Sequence, residues 1–390
     1  NFKYCGGCVH QNLNYDEQLN QKQFQVEDIF VRLGGYKTQI INPIIGCDDI
    51  WNYRNKMEFT YSSNIWYENS DSPHLPLALG LHIPKRFDKI LDISKCYIQD
   101  DECDAILNEV KNLSIELRLT TWDVRQHNGF LRNLMIRKGF NTNEIMVNFI
   151  TSEFDKIRLY PIVQQLIKNF SNIKCIVNNI TSRHAGTTKG EAEHLLYGQS
   201  FIHEKLENYK FEISANSFFQ TNTLQAEKLY KLIRKESKLT GSEIVYDLFC
   251  GTGSISIFIA KDAKEVFGFE LVESAIKDAE RNAKLNNVEN CTFYGGDLMD
   301  IFKTNDELAN LPKPDVIIID PPRSGMHQKT VQQVLKQSPN RIIYVSCNPS
   351  TQVRDLKFFT NDRYKIKMVQ PVDMFPHTPH IENIVTMEKN

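Results

Sequence analysis

What this chain lacks narrows its class before any motif is read. It has no run near the ~18 apolar residues that a membrane span needs, so no membrane partner is expected. It has no excess of one charge: 46 Lys and Arg stand against 48 Asp and Glu, a net charge of −2. A nucleic-acid partner would therefore have to be met by local patches. It has no even set of cysteines. Nine argues against a closed disulfide framework and fits a reducing, cytoplasmic compartment. It has no internal repeat or low-complexity tract. It does not open on Met, so the true start is expected upstream, and a missing secretory signal excludes little. What is there is an ordinary soluble composition over 390 residues, long enough for two or three domains.

Near the start, YCGGC places Cys5 and Cys8 in a C-x-x-C turn, which suits a metal, a cluster or a redox pair. Cys96, in ISKCYI, is a further thiol. Helical apolar spacing follows over 15–33, ended by Gly34-Gly35. From about 40 to 213 short β runs dominate, among them 131–136, 144–150 and 174–178, with helices at 101–112 and 154–169. Basic residues gather there: Arg118, Arg125, Arg132, Arg137 and Lys138, with Arg54, Lys56, Lys85, Arg86, Lys89, Arg183 and Lys189. They form either a solvated face or a phosphate-contacting surface.

Near Phe211 the rhythm changes. After SFFQTN a helix is expected over 224–238. Strands and helices then alternate at 244–249, 255–261, 265–270, 272–286, 291–294, 314–320, 328–337, 341–346, 351–359 and 364–370. That alternation predicts a doubly wound parallel sheet with helices on both faces. The domain boundary is placed near 215: an N-terminal region 1–214, then 215–390.

Three strand ends carry chemistry. RIIYVSCN is a buried strand that ends on Cys347 and a turn. VIIID ends on Asp320, before Pro321-Pro322-Arg323. MFPHTPHIE is a polar loop that delivers Glu382. Ligands bind beyond the carboxyl ends of such strands, although a lone Cys is more often a small buried hydrophobe. In DLFCGTG, Asp247 precedes Gly251 and Gly253, and Glu270 ends the next strand, about where an acid grips a ribose. A dinucleotide fingerprint fails at Ser256. An acid before the loop suits S-adenosylmethionine, whose amino group it can attract.

CGGC, SFFQTN, DLFCGTG, DPPRSG, YVSCNP and FPHTPHIENI, in that order, resemble the uracil-C5 RNA methyltransferases, which make 5-methyluridine. The likeness is greatest to the iron–sulfur enzymes that act on large-subunit (23S) rRNA. The resemblance implies an S-adenosylmethionine-dependent methyltransferase domain after a smaller, mostly-β iron–sulfur and RNA-binding domain. The helix within about 11–42 would pack on the catalytic domain. Cys347 would be the nucleophile and Glu382 the base. Gln220, Phe249, Ser254, Glu270, Asp297 and Asp320 would line the cofactor and base pocket. Cys5, Cys8 and Cys96 would hold a [4Fe–4S] cluster, its first Cys just before Asn1. The small RNA-binding barrel that many members carry at the N-terminus would be expected before Asn1; the family's usual Asn in the glycine loop is Ser254 here, and its Asn near Asp297 is an acid. RNA is the expected partner, with no obligate protein partner. Phe218 and Phe219 are candidates to stack on an extruded base, or core aromatics. A tRNA-directed enzyme and an inactive iron–sulfur RNA-binding protein are the alternatives.

Overall fold

The computed structural model describes residues 2–68, 74–182, 190–301, 308, 310–361 and 363–390. Helix α1 (Tyr15–Asp28) starts where the Asn14 side chain accepts from the Glu17 amide, and it runs on as a π turn, Ile29–Leu33. Its inner face is not the one that apolar spacing suggests. Gln18 and Lys22 are buried with Val26 and Phe30, while Phe24 is 66% exposed.

The first sheet contains β1 (Lys56–Ser62), β2 (Ile65–Trp66), β3 (Ala78–His82), β4 (Ile90–Asp92), β5 (Leu131–Lys138), β6 (Ile145–Thr151), β7 (Ile173–Ile180) and β8 (Ala192–Gly198). Its order is β2-β4-β3-β1-β5-β6-β7-β8. Helices α2 (Asp101–Glu116) and α3 (Lys156–Asn169) cover one face through Ile106, Val110, Ile162 and Leu166. α3 is the crossover that makes β6 and β7 parallel. With eight strands among the described residues, this part is not the smaller one expected. A hairpin of β9 (Phe201–Leu206) and β10 (Tyr209–Ser214) leads into the second sheet.

The second part runs α4 (Thr223–Ser237), β11 (Ile244–Leu248), α5 (Ser254–Ile259), β12 (Glu265–Glu270), α6 (Glu273–Leu285), β13 (Cys291–Gly295), β14 (Val316–Ile319), α7 (Gln328–Gln337), β15 (Arg341–Ser346), α8 (Pro349–Thr360), β16 (Tyr364–Val372) and β17 (Glu382–Lys389). The order is β13-β12-β11-β14-β15-β17-β16. It is parallel through β15, but β17 enters antiparallel between β15 and β16. The purely parallel expectation fails there because residues 373–381 turn back as a hairpin, with no crossover helix. The chain leaves β11 toward β12 on one side and reaches β14 on the other, which makes β11/β14 the switch point where ligands bind.

α1 belongs physically to this second sheet. Val26 and Phe30 pack with Tyr246, Ile317 and Tyr344. Residues 42–45 cover the edge strand β16, with Asn42 N–H donating to Val369 O at 2.8 Å and Ile45 N–H to Pro371 O at 3.0 Å.

Candidate active site

β15 is buried from Ile342 to Ser346, and Cys347 is the next residue, half-buried. The Asn348 amide donates to Ser346 Oγ at 3.1 Å, and the Asn348 side chain caps α8 by accepting from Ser350 N–H at 3.1 Å. The thiol therefore sits on a tight strand-to-helix turn. Glu382 opens β17 and is buried. Ser346 pairs with Asn383. Continuing that register by one residue sets Cys347 against Glu382.

The charges of this edge act on one another. Burial, then Glu382 and Asp320, push the Cys347 thiol up to about 11, while Arg323 pulls it down. Burial, then Asp320, hold the Glu382 carboxyl well above the usual carboxylate range. Asp320, just past β14, is pushed up to about 7 by burial and by Asp247. Asp247 is likewise pushed up to about 7, chiefly by burial, although Ser256 Oγ donates to its Oδ2 at 2.5 Å. Its Oδ1 is buried with no hydrogen-bond partner among the described residues.

The glycine loop turns through the left-handed region three times, at Phe249 (φ 65°), Gly251 (φ 54°) and Gly253 (φ 75°). A non-glycine there costs on the order of 1 kcal/mol, so Phe249 is a strained position. A Cβ on Gly253 would come within 2.9 Å of the Phe293 ring and 3.0 Å of Ala279, whereas one on Gly251 would meet nothing within 4 Å. Glu270 closes the mouth of the loop, accepting from Gly251 N–H at 3.2 Å and Val272 N–H at 2.9 Å. Ser254 Oγ lies 2.8 Å from the Tyr230 hydroxyl. Nothing in the sequence singles out Tyr230, on the buried face of α4, because helical spacing signals burial and not role. Asp297 is exposed and accepts from Met299 N–H at 2.9 Å. Gln220 is buried, its carbonyl accepting from Asn55 Nδ2 at 2.9 Å. The aromatic pair divides: Phe219 is core against Phe211, and Phe218 is 68% exposed. An open side at Gly251, a carboxylate closing β12 and an unpartnered buried oxygen on Asp247 fit a ligand with a ribose and positive charge.

Residues 186–390 match the model of the tRNA (uracil-5-)-methyltransferase family. The chain belongs to this family. It is 42% identical to an uncharacterized RNA methyltransferase of Bacteroides thetaiotaomicron, over 98% of this chain and 86% of that one. It is 39% identical to an uncharacterized RNA methyltransferase of Chlorobaculum tepidum, over 100% of this chain and 82% of that one. Its fold matches the crystal structure of the Pyrococcus abyssi tRNA (uracil-54, C5)-methyltransferase in complex with S-adenosyl-L-homocysteine. The TM-score is 0.78 and the identity 29%, over 99% of this chain and 86% of that one.

Two further features of this methyltransferase were expected from sequence. Cys5, Cys8 and Cys96 line one cavity of about 120 Å³ with Trp51, Tyr97 and Lys95. Burial, then the neighbouring Cys96 and Cys5, push the Cys8 thiol up to about 12. The three donors thus share one space, although no group of three or more His, Cys, Asp or Glu among the described residues is disposed to hold a metal ion. Thiols are the right donors for a cluster, but as they are disposed here they do not form a metal site.

Part of the basic run is turned away from solvent. Arg137 is buried and donates to Ser217 O at 3.0 Å and Ser214 O at 3.4 Å. Arg132 is buried over Trp122 at 4.2 Å and donates to Thr181 O. Lys138 pairs with Asp100 at 2.9 Å, and Arg125 with Asp88 at 2.9 Å. β5 is buried along nearly its whole length, so Arg132 and Arg137 are both enclosed, where packing and carbonyl bonds hold them. Arg118 and Lys85 are exposed. Arg183 and Lys189 lie outside the described residues.

Proposed function

We propose that the chain transfers a methyl group from S-adenosylmethionine to C5 of a uridine in RNA, through a covalent bond between Cys347 and uracil C6. The observation that carries this reading is the meeting of Cys347 and Glu382 at one strand edge, beside Asp320. Uracil C5 is a poor carbon nucleophile. Addition of the Cys347 thiolate at C6 moves the electron pair onto C5, which can then take a methyl. Sulfur suits the step because it attacks well and leaves again. After transfer C5 carries both a methyl and a proton. Glu382 removes the proton, the C5–C6 double bond re-forms, and the thiolate leaves. A buried carboxyl with a raised pKa is matched to that task. Asp320 accepts from the imide N–H, and Phe218 stacks on the extruded base. When bound, the cofactor supplies the methyl group and a sulfonium charge. The acidic edge of Asp247, Asp320 and Glu382 gains from a cation, and Glu270 holds the ribose. Gln220, Phe249, Ser254 and Asp297 complete the pocket.

In this reading residues 1–214 are the RNA-binding and cluster region and 215–390 the catalytic domain, with α1 serving the latter. The enzyme works in the cytoplasm. Cys5, Cys8 and Cys96 hold a [4Fe–4S] cluster with a fourth thiolate. The first target is 23S rRNA, supported by the likeness of the Cys motif to iron–sulfur enzymes. A tRNA is the second, favoured by the match to the Pyrococcus tRNA enzyme. The test is mass spectrometry of 5-methyluridine in rRNA and tRNA from cells lacking the gene, before and after treatment with the protein. New 5-methyluridine with the native chain and none with Cys347→Ala is expected. None with either overturns the reading.

A further inference from the structure

The loop that delivers Glu382 is held from the other end of the chain. Residues 373–381 join β16 to β17. The Asp373 carboxylate accepts from Lys22 Nζ at 2.6 Å and from the Tyr15 hydroxyl at 2.9 Å. Lys22 Nζ also donates to Phe375 O at 3.1 Å, and the Tyr53 hydroxyl donates to Pro376 O at 3.0 Å. His377 is held on three sides. Its N–H donates to Gln18 Oε1 at 2.7 Å, its carbonyl accepts from His10 N–H at 2.9 Å, and its ring stacks on Trp51 at 3.8 Å. A loop of this length would otherwise sample many backbone states, and a base displaced by about 1 Å loses much of its effect.

The composition of α1 points the same way. A helix that only had to pack would bury apolar side chains. α1 instead buries Gln18 at 0% and Lys22 at 1% and leaves Phe24 exposed. Buried polar groups add little net stability over apolar ones, but they dictate geometry, because each must find its partner. Here the partners are loop atoms. The Cys347 turn is built separately, from Ser346 and Asn348.

We propose that Gln18, Lys22 and Tyr53 are positioning residues for the reaction: by fixing residues 373–377 they hold Glu382 at the carbon it deprotonates. The inference rests on the reading of Glu382 as the base. The clamp acts on proton removal and elimination, and not on thiol attack or methyl transfer.

The test is a single-turnover experiment with the full chain, substrate RNA and methyl-labelled cofactor. It follows methyl incorporation and decay of the covalent RNA–protein species separately. Gln18→Leu removes the His377 bonds. Tyr53→Phe removes a single hydroxyl and keeps the ring, so it retains the fold. Methyl incorporation within about twofold of native and decay slowed about tenfold in Gln18→Leu, less in Tyr53→Phe, are expected. Both steps slowed by the same factor, or decay unchanged, would overturn the proposal, and Tyr53→Phe decides if Gln18→Leu does not fold. Glu382→Gln runs alongside. If its covalent species also decays normally, the base reading itself has failed. If it stalls while the clamp variants do not, only the positioning role is lost.

Discussion

Ser346 faces Asn383 across the antiparallel pair of β15 and β17, and that one register brings Cys347 and Glu382 to the same edge. The two residues come from different strands, one running toward the edge and one away from it. A slip of one residue would turn Glu382 to the other face of the sheet. In the proposed reaction, cofactor and base chemistry both depend on this edge.

Cofactor binding should release protons. Asp247 and Asp320 are each pushed up to about 7, chiefly by burial, with Glu270 adding to the rise at Asp247 and Asp247 to the rise at Asp320. A bound cation favours the ionised forms. Affinity should therefore rise from pH 6 to pH 8, and calorimetry in buffers of different ionisation enthalpy should give different apparent heats. Heats independent of buffer would show that the two carboxyls do not respond to the ligand.

Asp247→Asn should stabilise the unliganded protein and weaken cofactor binding. A carboxyl raised to about 7 from an ordinary value of 3.8 destabilises the fold as pH climbs between those values, fully above the higher one. The variant should melt a few degrees higher at pH 8 and at the native temperature near pH 4, if both remain folded there. It should bind cofactor about tenfold or more weakly. Lower stability at pH 8 would mean that Asp247 is compensated by a partner not seen in this site.

Under the proposed reading, the full-length protein made anaerobically should carry iron and labile sulfide, and Cys8→Ser should lose both. The reason is that Cys5, Cys8 and Cys96 share a single cavity. Stoichiometric zinc without sulfide would replace the cluster by a zinc site.

Arg137→Ala should destabilise the fold by about 3 kcal/mol or more, since it strips two carbonyls of a buried charged donor. Arg118→Ala and Lys85→Ala should leave the melting temperature alone and each reduce the salt slope of RNA binding by about 1. A salt slope unmoved by the exposed pair would make that face an ordinary solvated one.

Much of this was legible in the chain. Apolar runs ending on Cys347, Asp320 and Glu270 mark strands and their carboxyl ends, because buried parallel strands are nearly continuous in apolar residues. The direction of β17 was not legible, since a run of apolar residues has no sign. Nor was the inner face of α1: Gln18 and Lys22 are buried only because Asp373 and His377 meet them, some 350 positions away. The basic run misled for the same reason. A count of arginines cannot tell that Arg137 is stitched to the chain near Ser214 while Arg118 faces water. Cys96 joins Cys5 and Cys8 only through the path of the chain after β4.

The most direct test of the central claim is a denaturing gel of substrate RNA with methyl-labelled cofactor and three proteins. The native chain should leave label on free RNA. Cys347→Ala should leave none on RNA or protein, because no C6 bond forms. Glu382→Gln keeps the thiol but lacks the proton acceptor, so labelled RNA should migrate with the protein. Normal turnover by Glu382→Gln, with label only on free RNA, would contradict the account.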